Sequence, residues 1–107
     1  MSATLKKVSG AIAATRTLLL TATAGVQTIV IGGTVSNVDT TGVYHSATVE
    51  ILQADGTTYI SLVTQAPVAL GGSLVFPKFV MASGEKLYIT ADVANMVVAH
   101  VSYVEKT

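Results

Sequence analysis

The stretch ATVEILQADGTTYISLV, residues 47–63, decides the fold. In it Ala47, Val49 and Ile51 alternate with Thr48, Glu50 and Leu52. That period of two puts every second side chain on one face of a strand. The run breaks at Ala54-Asp55-Gly56-Thr57 and resumes through Tyr59, Ile60, Leu62 and Val63. An Asp-Gly pair between two such runs is a strong hairpin signal. Gly supplies the positive φ of the turn, and Asp bonds the turn's own backbone. Residues 43–53 and 58–64 therefore read as two antiparallel strands.

Downstream, Ala66-Pro67 ends the second strand or confines it to a sheet edge, because Pro has no N–H to donate. Leu70-Gly71-Gly72-Ser73 is a turn, and Leu74–Phe76 with Phe79–Met81 reads as one strand broken at Pro77. After the turn Ala82–Glu85, residues 86–93 place Leu87, Ile89, Ala91 and Val93 inward. Residues 96–104 place Val97, Ala99, Val101 and Tyr103 on one face. Upstream, residues 26–37 form a strand centred on Ile29-Val30-Ile31, with Gly32-Gly33 marking a bulge or a close backbone approach. Val38–Gly42 is a polar loop, and residues 15–23 are a strand with Leu18 and Leu20 on one face. About eight short strands at this spacing predict an all-β chain, a single antiparallel β-sandwich of jelly-roll or Ig-like type. Its predicted core is Ile29, Ile31, Val49, Ile51, Leu62, Leu87, Ile89, Val97, Ala99 and Val101.

Residues 1–13 fit this pattern less well. Leu5, Val8 and Ile12 have helical spacing, but Gly10 interrupts it, and Val8, Gly10, Ile12 and Ala14 also alternate. The segment reads as an extended N-terminal arm outside a sandwich domain of residues 14–107. The arm would use Leu5, Val8 and Ile12 as interface residues on a neighbouring molecule. A short helix and a strand pairing with its own sheet are the alternatives. Lys6-Lys7, Val8–Leu20 and Ala22-Thr23-Ala24 have the outline of a signal peptide, but Arg16, Thr15 and Thr17 break its apolar stretch. No run reaches the roughly 18 apolar residues of a membrane helix, and no membrane partner is expected.

Composition narrows the function. Half of the 107 residues are apolar and 11% are charged, against about 25% in typical soluble domains. Six basic and six acidic side chains cancel, so there is no basic patch to neutralise phosphates and no nucleic-acid partner is expected. Nothing electrostatic keeps copies of the chain apart, and part of its surface is expected to be covered in the working state. There is no cysteine, hence no disulfide framework and no thiolate chemistry.

A search for chemistry returns little. His45 and His100 have no carboxylate or second imidazole at metal-ligand spacing, and both read as half-exposed strand residues. No Gly-x-Ser-x-Gly elbow accompanies the many Ser and Thr. Asp39, Glu50, Asp55, Glu85, Asp92 and Glu105 are spread one per element, with Asp39 and Asp55 in turns. Tyr44, Tyr59, Tyr88 and Tyr103 could stack on a glycan but read as packing residues. The pairs Gly32-Gly33 and Gly71-Gly72 match no phosphate loop. The expectation is a chain with no catalytic residues, no cofactor and no metal.

Residues 25–105 do resemble a known group. Ala66–Leu74 has the turn A-P-V-x-x-G-x-S-L, Gly84–Thr90 reads G-E-K-L-Y-I-T, and the last strand, Val98–Glu105, ends V-S-Y-V-E. This succession is similar to small β-sandwich virion structural proteins of tailed bacteriophages. The resemblance carries no active-site residues. It implies a virion role on the capsid, neck or tail. Together with the low charge and the missing chemistry, the expectation is a non-enzymatic virion protein assembled in the host cytoplasm, foremost a capsid decoration (cement) protein. Its partners would be itself, as a homo-oligomer and foremost a trimer, and other virion proteins such as the major capsid protein. A neck, collar or tail-associated protein is the alternative within this class. A carbohydrate- or receptor-binding module is the alternative outside it.

Overall fold

The computed structural model describes residues 3–41, 43–69 and 72–106, among which there is no helix. Runs of Val, Ile, Leu and Thr suit a pleated surface, and Gly, Asp and Asn cut them into nine strands. These are β1 (Ala3–Ala11), β2 (Thr17–Thr21), β3 (Gln27–Asn37), β4 (His45–Leu52), β5 (Tyr59–Val68), β6 (Ser73–Phe76), β7 (Phe79–Met81), β8 (Lys86–Ala91) and β9 (Val97–Lys106). One sheet has the order β1-β9-β3-β6, with β7 also on β3, and the other β2-β8-β4-β5. All pairings are antiparallel. The predicted turn at 70–73 falls partly on Leu70 and Gly71, outside the described residues, as does Gly42 of the polar loop.

β6 lies against Gly33–Ser36 and β7 against Thr28–Val30, so the two are one strand interrupted at Pro77-Lys78, as predicted. Counted that way the strands number eight. The first then pairs with the last, the second with the seventh, the third with the sixth and the fourth with the fifth. This nested pairing is a long hairpin rolled into two sheets, which is the jelly roll rather than the Ig-like alternative. Pro67 sits in β5, a sheet-edge strand, where its missing N–H is tolerated. The Asp55-Gly56 turn forms with Gly56 at φ 77°. Asp55 accepts the N–H groups of Thr57 and Thr58, both at 2.9 Å.

The inner faces meet in one core. Val30, Val35, Met81, Val97, Ala99 and Val101 come from the β1-β9-β3-β6 sheet, and Leu20, Ala47, Val49, Ile51, Leu87 and Ile89 from the other. Of the predicted core, Val49, Ile51, Leu87, Ile89, Val97, Ala99 and Val101 are buried. Ile29, Ile31 and Leu62 are not, and the cause is two irregularities. The β3–β9 register pairs Val30 with Tyr103 and Gly32 with Ser102, which leaves Ile31 as the extra residue of a bulge, 46% exposed. Even-numbered residues face inward before it (Thr28, Val30) and odd-numbered ones after it (Gly33, Val35, Asn37). Likewise β5 pairs Ser61 with Glu50 and Val63 with Val49, so Leu62 is left over and Val63 packs on the core. Val93 is also exposed, because β8 stops at Ala91.

Residues 3–13 are not an arm outside the sandwich, and Met1 and Ser2 of the predicted arm lie outside the described residues. Ala3–Ala11 pairs along its whole length with β9, from Ala3 opposite Lys106 to Ala11 opposite Val98. The next residue, Ile12, is 0% exposed and belongs to the core. The alternation Val8, Gly10, Ile12 was the relevant pattern, and the domain begins with this strand instead of at residue 14.

One buried group lacks a partner. Thr28 is fully buried, and its Oγ1 makes no hydrogen bond among the described residues. A stranded buried hydroxyl costs roughly 1–3 kcal/mol, whereas a methyl of the same shape costs nothing in desolvation. Thr28→Val is therefore expected to stabilise the domain by about 1 kcal/mol in chemical denaturation. An unchanged or lowered midpoint would show that the hydroxyl finds a partner in solution.

Candidate functional site

The β1–β2, β3–β4, β5–β6 and β8–β9 connections gather at one end of the sandwich. Backbone bonds tie them together: Asn95 N to Ile12 O, Ala91 N to Ala13 O, Val38 N to Met96 O and Asn37 N to Gly72 O, at 3.0–3.2 Å. Buried Asn37 closes the array. Its Nδ2 donates to Val43 O and Val68 O, both at 3.0 Å, and its Oδ1 accepts from Asp39 N at 2.9 Å.

His45 opens β4 at this end on the inward register of the strand and is 4% exposed. Its Nε2 is 2.7 Å from Asp39 Oδ2, and its Nδ1 is 3.0 and 3.1 Å from the two Asp92 oxygens. Asp39 is held in turn by Thr41, whose N and Oγ1 donate to Oδ1 at 2.8 and 2.6 Å. The bond to Asp39, and then that to Asp92, raises the His45 pKa above its ordinary value against the opposing effect of burial. The Thr41 hydroxyl, and then His45, lowers Asp39 to about 2.

The sequence reading placed His45 as a half-exposed strand residue with no carboxylate at useful spacing. It is instead buried between two. Asp39 is six positions away and Asp92 forty-seven. The turn character of Asp39 was legible, but Asp92 arrives only through the β4–β8 pairing, which sets Ala47 opposite Ala91. Each ring nitrogen faces a carboxylate on opposite edges of the ring, so neither is free to take a proton from a substrate hydroxyl. Among the described residues no group of three or more His, Cys, Asp and Glu is arranged to hold a metal ion.

The other sequence candidates are dispersed. Leu5 is 71% exposed, Val8 is half-buried opposite Val101, and Ile12 is in the core, so only Leu5 of the three faces solvent. His100 is exposed, between Ser9 and Thr34. Tyr44 is exposed and Tyr103 packs on the core. Tyr59 meets Tyr88 edge-on, with ring centroids 5.9 Å apart. Arg16 lies 3.6 Å from the centre of the Tyr59 ring while bonding Glu50 at 3.1 and 3.3 Å. One face of Tyr59, which a sugar ring would need, is thus already occupied.

Sequence reasoning also missed an apolar row on the outer face of the β1-β9-β3-β6 sheet. Leu5 is opposite Val104, Val104 opposite Ile29, and Ile29 opposite Val80, across four strands. Leu5 and Val80 are exposed, Ile29 and Val104 half-buried. Exposed Ile31 and Val75 lie on the same face, lining a shallow depression with His100 and Ser102. The row holds no charged side chain. It was hidden because Ile29 and Ile31 were assigned to the core.

No protein-family model and no curated protein sequence matches the chain. Solved structures do. A chain of the T13 particle of infectious bursal disease virus is similar over 97% of this chain, with a TM-score of 0.60 and 11% identity. This chain spans only 31% of that one's length. A chain of Bacillus endospore appendages, described as disulfide-linked pili, is similar over 99% of this chain and 87% of its own, with a TM-score of 0.55 and 17% identity. This sequence has no cysteine with which to form such a linkage. At these identities the shared property is the fold, an all-β sandwich.

Proposed function

We propose that this chain is a non-enzymatic structural protein of a virion, a decoration protein seated on the major capsid lattice of a tailed bacteriophage. The observation that carries the proposal is the uncharged apolar row Leu5, Val104, Ile29 and Val80 on an outer sheet face. An apolar patch of this kind on a chain of zero net charge marks a surface made to be covered by protein. The jelly roll is a fold that viral capsid domains use, although fold alone does not assign function. The bacteriophage part of the proposal rests on the sequence resemblance over residues 25–105. The chain would act as a homo-oligomer, foremost a trimer on a local symmetry axis. A neck, collar or tail position would use the same face, and locating the chain in a reconstruction of the intact particle separates these positions.

The proposal predicts how the purified chain binds capsids that lack it. Leu5→Asp and Val80→Asp should abolish co-sedimentation while leaving the melting temperature close to the parent's, since both side chains are exposed. Binding should persist when salt is raised, because it comes from apolar burial and not from charge. Retained binding by Val80→Asp, or release by moderate salt alone, would overturn it.

A further inference from the structure

We propose that Asp39, His45 and Asp92 form a pH-dependent latch on the loop end: doubly protonated His45 joins Asp92, at the start of the β8–β9 loop, to Asp39 of the β3–β4 loop, and loss of its Nδ1 proton releases the Asp92 end of the β8–β9 loop. The inference is independent of the proposed function.

Donor counting comes first. A neutral imidazole has one N–H, and an ionised carboxylate has none to give. His45 nonetheless meets a carboxylate at each nitrogen, 2.7 Å on the Asp39 side and 3.0 Å on the Asp92 side. Both bonds form together only if the ring carries both protons and is a cation. At 4% exposure that cation has little water to fall back on, so the carboxylates hold it.

The two sides are unequal. Asp39 is nearly buried, makes the shorter bond and is fixed by Thr41. The Asp92 side chain is 36% exposed and, besides His45, accepts only the N–H of its neighbour Val93 at 2.9 Å among the bonds of the described residues, so it can turn to water. When the ring loses one proton, the remaining one stays on Nε2, facing Asp39. The bare Nδ1 lone pair then faces the Asp92 carboxylate, which moves away. What still ties Asp92 to β4 is its own N–H to Ser46 O, a long 3.2 Å bond, while the far end of the loop stays held by Asn95 N–H on Ile12 O and Val38 N–H on Met96 O, both at 3.0 Å. Among the described residues no other charged group is bonded to the ring: β5 sets Val68 opposite His45, and Tyr44, the neighbour in sequence, is exposed. The loops that the latch joins carry Val38, Val43, Tyr44 and Val93, all exposed apolar residues, so its release reshapes the surface of this end.

The pH window follows from the shifts. The folded pKa of His45 lies above its ordinary 6.5. Its contribution is therefore complete below 6.5 and is lost as pH rises through the folded value. Asp39 is lowered from 3.8 to about 2, so its contribution is complete above 3.8 and is lost as pH falls through about 2. The latch is closed in mildly acidic solution and opens as pH rises through the raised His45 value.

Imidazole nitrogen NMR and amide hydrogen exchange on the intact chain test this. At about pH 6 both His45 nitrogens should be protonated, and the residue should titrate above its value in the urea-unfolded chain. Across that titration, protection of the Asp92 and Val93 amides, corrected for intrinsic exchange, should fall about tenfold for each unit separating the two pKa values. Val49 and Ile89 should keep their protection. Asp92→Asn should lower the His45 titration and remove the pH dependence of the loop. A neutral ring at about pH 6 would overturn the proposal. So would loop protection that is flat across the titration, or that changes equally throughout the domain.

Discussion

Ile89→Asp is expected to unfold the domain. Ile89 is the middle of β8, itself an inner strand between β2 and β4, and it is fully buried between Thr17 and Val49. The core cluster to which it belongs is apolar. A carboxylate there loses its hydration and gains no cation. The effective penalty is several kcal/mol per buried ion, on top of roughly 1.5–3 kcal/mol of lost apolar burial. Together these rival the whole stability of a small domain, about 5–15 kcal/mol. Thr90→Asp, one residue on and facing the other way, should remain folded. Circular dichroism and the soluble yield of the two variants make the comparison. A soluble Ile89→Asp with a cooperative melt would mean that the other face of β8 is the buried one, since a one-residue slip exchanges the faces.

β8 was legible because its alternation is clean: Leu87, Ile89 and Ala91 are apolar while Lys86, Tyr88 and Thr90 carry polar groups. β4 and β9 were legible for the same reason. β3 was not. Ile29, Val30 and Ile31 are three apolar residues in a row, so either register buries a branched side chain, and only the pairing with β9 shows that Ile31 bulges. Gly32-Gly33 pointed to a bulge or a close backbone approach, but not to which way the parity would change. Leu62 escaped in the same manner, since a bulge on an edge strand leaves no mark in a local apolar pattern.

The candidate site was less legible than the fold because its parts are joined by topology. His45 and Asp92 meet only after β4 has paired with β8, and no spacing rule reaches across forty-seven residues. The outer apolar row is likewise a property of register: Leu5, Val104, Ile29 and Val80 belong to four strands and line up only through their partners. A lone Val or Leu in a strand does not reveal whether it faces the core or an outer surface when both faces carry apolar residues.

Removing residues 2–13 is expected to cost the chain its stable fold. The segment contains β1, the strand that covers one side of β9. Without it β9 becomes an open edge with unpaired N–H and C=O groups, the form of sheet most prone to aggregate. The deletion also removes Ile12. This residue fills the core and bonds Val97 O through its N–H at 2.9 Å and the Asn95 N–H through its carbonyl at 3.0 Å. Ile12→Ala alone should cost about 2–5 kcal/mol, the range for truncating a buried aliphatic side chain. Leu5→Ala, on the exposed face of the same strand, should stay within about 0.5 kcal/mol. Chemical denaturation of the three variants should therefore rank Leu5→Ala as the mildest, Ile12→Ala as severe, and the deletion as unfolded or nearly so. A docking arm would give the opposite pattern: a truncated chain that melts like the parent, with Ile12→Ala no worse than Leu5→Ala. That result would detach β1 from the domain and return Ile12 to an interface with a neighbouring molecule.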